Sequence, residues 1–271
     1  MAQNVITIDT VKEMIPFFKT RLGSVAVKLL FRMTSMDKVN NAYVLASEKR
    51  GINFVTRLLD VLNVNYEIEN EDALKQLPEG FITVSNHPYG GLDGIILIHM
   101  MGSRYPNYKL IVNWILSRVE AMSDYFICVD PVSSQVNTIS VKGIKDAEMH
   151  LIKNEPLGMF PAGSVSRMHF KGGVHFEDHE WHTSVCKMIK SAKKTVVPIY
   201  FHGHNSLLFY LLALIHWKLS SLRLPCEIFN KKGKTIHITI GKTITVEEQS
   251  KYKDINSYGD FLKKRTYDLK H

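Results

Sequence analysis

Cysteine is scarce in this chain: residues 128, 186 and 226 are the only ones among 271. So small, odd and widely spaced a set excludes a disulfide framework and points to a reducing compartment. Long apolar runs are missing too. A membrane-crossing helix needs about 20 predominantly apolar residues, and the strongest run, residues 207–215, is broken at once by His216 and Lys218. No spanning segment is expected. The opening Met-Ala-Gln-Asn-Val-Ile-Thr-Ile-Asp lacks the basic-then-apolar order of a signal peptide, so the reading is cytoplasmic. Acidic residues are in deficit, 26 against 34 Lys and Arg, for a net charge of +8. Such a balance favours an anionic partner: nucleic acid, a membrane surface or an acidic carrier protein. No nucleic-acid-binding module appears, which argues against the first. Repeats, low-complexity tracts and breaks in composition are also absent.

What is present, 45% hydrophobic and 22% charged residues, suits a globular enzyme with a substantial core. Helical spacing of apolar positions predicts helices over residues 11–33, 38–47 and 51–62, with Asn53 as a cap. Residues 64–69 and 80–85 read as strands, with a short helix at 71–76 between them. Helices are expected at 92–101, 114–122, 136–153 and 183–192. Strands are expected at 109–112, at 126–129 (closed by Asp130-Pro131), at 157–160 and at 195–201. Residues 226–229 and 235–240, flanking Asn230-Lys-Lys-Gly, read as a hairpin. The alternation implies an α/β fold: a central mixed, largely parallel sheet flanked by helices, with an N-terminal helical segment. Residues 1–62 form that segment and 63–271 the α/β domain. Two basic, apolar stretches, 11–33 and 207–224, have the composition of helices lying on an anionic membrane.

Chemistry concentrates where three strands end, the usual place for ligand sites in open α/β folds. The first end is Ser-Asn86-His87-Pro-Tyr-Gly90-Gly91-Leu-Asp93. A histidine near neutral pKa takes a proton from an alcohol, and a carboxylate behind it holds the ring in the productive tautomer. The motif contains no serine in a nucleophile position, so the attacking hydroxyl belongs to a substrate, which is the logic of direct acyl transfer. The second end is Phe160-Pro-Ala-Gly163-Ser164-Val-Ser166-Arg167. Its turn amides and hydroxyls suit an oxyanion, and Arg167 suits a carboxylate or phosphate. The third is Pro198-Ile-Tyr-Phe-His202-Gly-His204-Asn205-Ser206.

Rival chemistries find less support. Gly163-Ser164-Val-Ser166 lacks the second glycine of a nucleophile elbow, which weakens a serine esterase or lipase. His169, His175, His179, His182 and Cys186 crowd together without a zinc-site spacing, so neither metal nor other cofactor is expected. A non-catalytic membrane binder would leave the His and Asp pair idle.

The motifs resemble those of the glycerolipid and lysophospholipid acyltransferases. They are most similar to the branch of ornithine-lipid and other amino-acid-lipid O-acyltransferases, sometimes labelled hemolysin-like. Five residues separate His87 from Asp93, as in that branch. Ala162 stands where the broad family has a glutamate, and His204 where an arginine is usual; Asp178-His-Glu-Trp181 resembles a later motif. The resemblance, which runs over about residues 38–245, implies that His87 is the base and Asp93 its orienter. It also implies an acyl carrier protein or acyl-CoA donor and a lyso-lipid acceptor on the inner face of the cell membrane. A lyso-amino-acid lipid is favoured over lysophosphatidic acid.

Overall fold

Runs of β-branched and aromatic residues become strands here because helices on both sides bury them. The computed structural model describes residues 19–130 and 138–270. Helices α1 (Arg21–Met33), α2 (Met36–Ala46) and α3 (Gly51–Leu62) lead into strands β1 (Asn65–Glu69) and β2 (Ile82–Ser85). Helix α4 (Gly91–Gly102), β3 (Lys109–Asn113), β4 (Phe126–Val129), α5 (Thr138–Ile152) and β5 (Leu157–Met159) follow. A small hairpin, β6 (Arg167–His169) and β7 (His175–Glu177), precedes α6 (Thr183–Ala192) and β8 (Val196–Phe201). The described chain ends with α7 (Leu207–Ile215), α8 (Trp217–Phe229), β9 (Thr235–Ile240), α9 (Val246–Ser250) and α10 (Ile255–Tyr267).

Seven strands form one sheet in the order β1-β9-β8-β2-β5-β3-β4. Every pairing is parallel except β8 with β9. The expected mixed, largely parallel sheet is therefore present. Strands β8, β2 and β5 are neighbours running the same way, so their carboxyl ends emerge side by side. Strand alternation splits the core. Val197, Ile199 and Phe201 face a layer containing Phe54, Leu92 and Ile96. Ile82, Val84 and Val196 face the opposite layer, with Ile189, Tyr258 and Leu262. Helix α4, apolar all round, is buried along most of its length. Each such buried aliphatic side chain contributes about 1.5–3 kcal/mol, so the site is mounted on a rigid platform.

Several expectations need correction. Residues 226–229 are not a hairpin strand but the last turn of α8, which carries Pro225 inside it. A four-residue apolar run beside a turn-like Asn230-Lys-Lys-Gly does not distinguish strand from buried helix. Strand β9 pairs instead with β1 and β8. The segments at 71–76 and 114–122 are 3-10 turns, at Glu71–Leu74, Trp114–Arg118 and Glu120–Tyr125. Asn53 lies within α3, whose N-cap is Arg50. The β6–β7 hairpin and the C-terminal helices were not anticipated, although Thr245 and Glu248 form a capping box that opens α9. The parts of the expected helices at 11–18 and 136–137, and Pro131, lie outside the described residues.

Candidate active site

The turn between β2 and α4 brings His87 and Asp93 together. Gly90 adopts φ +80°, and a Cβ there would press on Leu224 and Val165, so glycine lets the chain double back. Asp93 then occupies the first turn of α4, fully buried, and its Oδ2 accepts the amide protons of Tyr89 at 2.8 Å and Gly90 at 3.0 Å. His87 Nδ1 lies 2.9 Å from the same oxygen. The contact is close but not aligned, since neither Nδ1 nor Asp93 Oδ1 completes a hydrogen bond among the described residues. Such bonds commonly tighten when substrate enters. Burial pushes the Asp93 carboxyl up, while His87 and the two amides pull it back. The imidazole stacks on Phe160, with centroids 4.0 Å apart, which fixes its plane.

The loop after β5 is tied to this turn by Asp178, a residue whose role the sequence did not expose. Its Oδ1 accepts from the backbone amide of His87 at 3.2 Å and from the Ser166 hydroxyl at 2.6 Å. Its Oδ2 accepts from Trp181 Nε1 at 3.3 Å. The Ser166 amide in turn donates to the His87 carbonyl at 2.9 Å. Tyr267, at the end of α10, accepts the Asp178 backbone amide proton on its hydroxyl oxygen, with N and O 2.6 Å apart. Lys263 holds the Asp178 carbonyl at 3.0 Å.

Burial raises the Asp178 carboxyl above its ordinary value, opposed by the Ser166 hydroxyl and the charge of His87.

The loop after β8 locks onto the same turn. Asn86 donates to the Phe201 carbonyl at 2.9 Å and accepts from the Phe201 amide at 2.7 Å. The Tyr89 hydroxyl donates to the His202 carbonyl. Gly203 has φ +100°, and a Cβ there would collide with Tyr89 Oη.

The anticipated residues thus fall into separate groups. His87, Asp93, Gly90 and Gly91 share the turn, and the loop carrying Gly163, Ser164 and Ser166 packs against it. Asn86 and Ser166 are occupied in holding loops, not free to bind an oxyanion. The Gly163 amide closes its own turn onto the Phe160 carbonyl at 2.9 Å. Arg167 is exposed on β6, opposite Glu177. Pro198 lies mid-strand in β8, in register with Val84, not in the loop. His202 Nε2 pairs with Thr239 Oγ1 at 2.8 Å, whereas His204 stacks on Phe176 at 4.2 Å. The histidines at 169, 175 and 179 pack ring against ring. Among the described residues no group of three His, Cys, Asp or Glu side chains is arranged to hold a metal ion.

The profile of a family described as acyltransferase matches residues 10–271. The chain belongs to that acyltransferase family. This acyltransferase is 30% identical over 252 residues to a protein named lyso-glycine lipid O-acyltransferase from Bacteroides thetaiotaomicron, covering 90% of this chain and 89% of the relative. It is 32% identical over 253 residues to one of the same name from Phocaeicola vulgatus, covering 90% and 87%. Its fold is that of the 1-acyl-sn-glycerophosphate acyltransferase PlsC from Thermotoga maritima, with a TM-score of 0.50 at 15% identity over 94% of this chain and 90% of that one.

Proposed function

We propose that this acyltransferase moves a fatty acyl chain from a thioester donor to the hydroxyl of a lyso-amino-acid lipid, with His87 as base and Asp93 as its orienter. The observation that carries the reading is the 2.9 Å approach of His87 Nδ1 to a buried carboxylate, which leaves Nε2 as the nitrogen for chemistry. Neither serine of the loop after β5 is placed as a nucleophile: the Ser166 hydroxyl is given to Asp178, and the Ser164 hydroxyl turns toward the Ala162 carbonyl at 3.5 Å.

In the reaction, His87 Nε2 takes the proton of the lipid hydroxyl as its oxygen attacks the thioester carbonyl. The new C–O bond forms, the C–S bond breaks, and the imidazolium returns the proton to the departing thiolate. Asp93 balances the imidazolium charge. Because the Gly163 amide is engaged, the following amides of Ser164 and Val165 are the candidate donors to the oxyanion. The names of the two relatives favour a glycine-type head group over lysophosphatidic acid. The donor is an acyl carrier protein or acyl-CoA, both anionic and suited to a chain of +8.

The protein works on the inner face of the cell membrane. Among the described residues no helix is long and apolar enough to cross a membrane. Support for surface attachment comes from exposed Leu207, Leu208, Leu211, Leu214, Ile215 and Trp217 on α7 and α8. We assign catalysis to residues 63–271 and surface attachment to 1–62 together with α7–α8, while α3 packs Phe54 and Leu59 into the shared core.

The test is an acylation assay with purified protein, N-(3-hydroxyacyl)glycine or lysophosphatidic acid as acceptor, and each thioester donor. His87→Ala and Asp93→Ala are expected to lose about a hundred- to ten-thousandfold in rate, with Ser164→Ala far less affected. Acceptor-independent ester hydrolysis that requires Ser164 would overturn the transferase mechanism.

A further inference from the structure

Two buried polar groups beside the dyad are left unused by this mechanism. Asn205 is 1% exposed, and neither Oδ1 nor Nδ2 of its side chain has a hydrogen-bond partner among the described residues. Its backbone amide donates to Tyr210 Oη at 3.2 Å. Lys231 is 7% exposed. Its Nζ donates to the carbonyl of His204, the residue bonded to Asn205, at 2.8 Å, and lies 4.8 Å from the centroid of the Tyr89 ring. No carboxylate lies within ion-pair distance of it among the described residues. Glu227 and Asp93 exert their fields on it, with Lys234 opposing, but Glu227 is already engaged by Ser206, Arg223 and Asn230.

A folded chain seldom leaves a buried primary amide unpaired or a buried ammonium with one hydrogen bond, because both lose water without replacement. Burial accordingly pushes the Lys231 ammonium below its ordinary pKa. The two groups meet at one loop, and that loop is fastened to the dyad. Tyr89, under the ammonium, donates its amide proton to Asp93. Tyr210, which holds the Asn205 backbone, feels the charges of both Asp93 and Asp178. The complement of an unpaired amide is another amide, and that of an unpaired ammonium is a carboxylate. An N-acylated amino acid carries one of each.

We propose that Lys231 and Asn205 form the head-group pocket for the acceptor, with Lys231 holding the carboxylate and Asn205 the amide of an N-acylated amino acid. The inference rests on the lyso-amino-acid-lipid reading above and deepens it. Phe176, on β7, stacks on both His204 and Tyr210 at 4.2 and 4.4 Å, so the head group enters by displacing this ring.

The experiment compares N-(3-hydroxyacyl)glycine with its carboxamide, which lacks the carboxylate, and with its ester analogue, in which oxygen replaces the amide nitrogen. Rates are measured for the wild type, Lys231→Met, Lys231→Arg and Asn205→Ala, alongside melting temperatures. Lys231→Met is expected to raise KM for the free acid by about ten- to hundredfold and to erase the preference for acid over carboxamide, with Lys231→Arg restoring part of it. Asn205→Ala should erase the preference for amide over ester. An equal loss on every acceptor makes both residues structural and overturns the proposal, whatever the melting temperatures. If the wild type acylates the glycine lipid but the variants keep its preferences, this pocket is wrong and the acceptor reading stands. If the wild type acylates only lysophosphatidic acid, both fall.

Discussion

Asp178 shows how one side chain can govern a site without touching the reacting atoms. Its carboxylate gathers the His87 amide, the Ser166 hydroxyl and the Trp181 indole, so it sets where the catalytic loop sits. Because burial raises its pKa, the folded protein holds that proton more tightly than the unfolded chain. Ionisation therefore costs stability as pH climbs from the ordinary carboxyl value, about 4, through the raised one. Asp178→Asn removes this titration. Its stability deficit relative to wild type is expected to be largest near that ordinary value and to shrink toward neutrality, as read by urea unfolding at a series of pH values. A deficit that widens with pH would contradict the assignment. At this scale the sequence was legible where partners are local. His87 and Asp93 share one motif, so their meeting follows from a glycine turn. Asp178 and Lys231 reach the site from segments far along the chain, and periodicity carries no trace of them. Asn86 and Ser166 looked like binding groups because a loop-tying amide or hydroxyl has the same residue type as a ligand-binding one.

Helices α7 and α8 depend on a single carboxylate. Glu227 accepts from the Ser206 amide at 2.9 Å, the Ser206 hydroxyl at 2.7 Å, Arg223 Nε at 2.9 Å and Asn230 Nδ2 at 3.2 Å. Burial works to raise its pKa, but these donors outweigh burial and hold it below the ordinary value. The resulting stabilisation is complete above the unfolded pKa and is lost as pH falls through the folded one. Glu227→Ala strands Arg223 and the start of α7, and should cost about 3–5 kcal/mol in chemical denaturation at neutral pH. A loss below about 1 kcal/mol would mean that the network is incidental. The arginine and glutamate stand four residues apart, a helical spacing visible in the sequence. The turn-like Asn230-Lys-Lys-Gly that follows points instead to a hairpin, so the helix end is hidden. The β6–β7 hairpin escaped for another reason: its strands are too short and too polar for any period to register.

Over the whole molecule the sheet was readable because buried parallel strands are near-continuous apolar runs, whereas strand order was not, since it depends on pairings between distant segments. Charge and apolar surface act together at this scale. The surface-attachment reading predicts that the protein floats with vesicles containing anionic lipid and is released in part as salt rises, since the screening length is about 10 Å at 0.1 M ionic strength. Leu211→Glu and Ile215→Glu should weaken binding at every salt concentration. Flotation unaffected by these changes would place the contact elsewhere.

The loop that carries the base is anchored through Asp178 to Tyr267, near the end of the described chain, and among the described residues edge strand β1 pairs only with β9, 170 residues later. During synthesis the His-Asp turn therefore emerges long before its supports. A ribosome-bound chain that has exposed every motif still lacks the framework that orders them, and it acquires that framework only once β9 and α10 have followed.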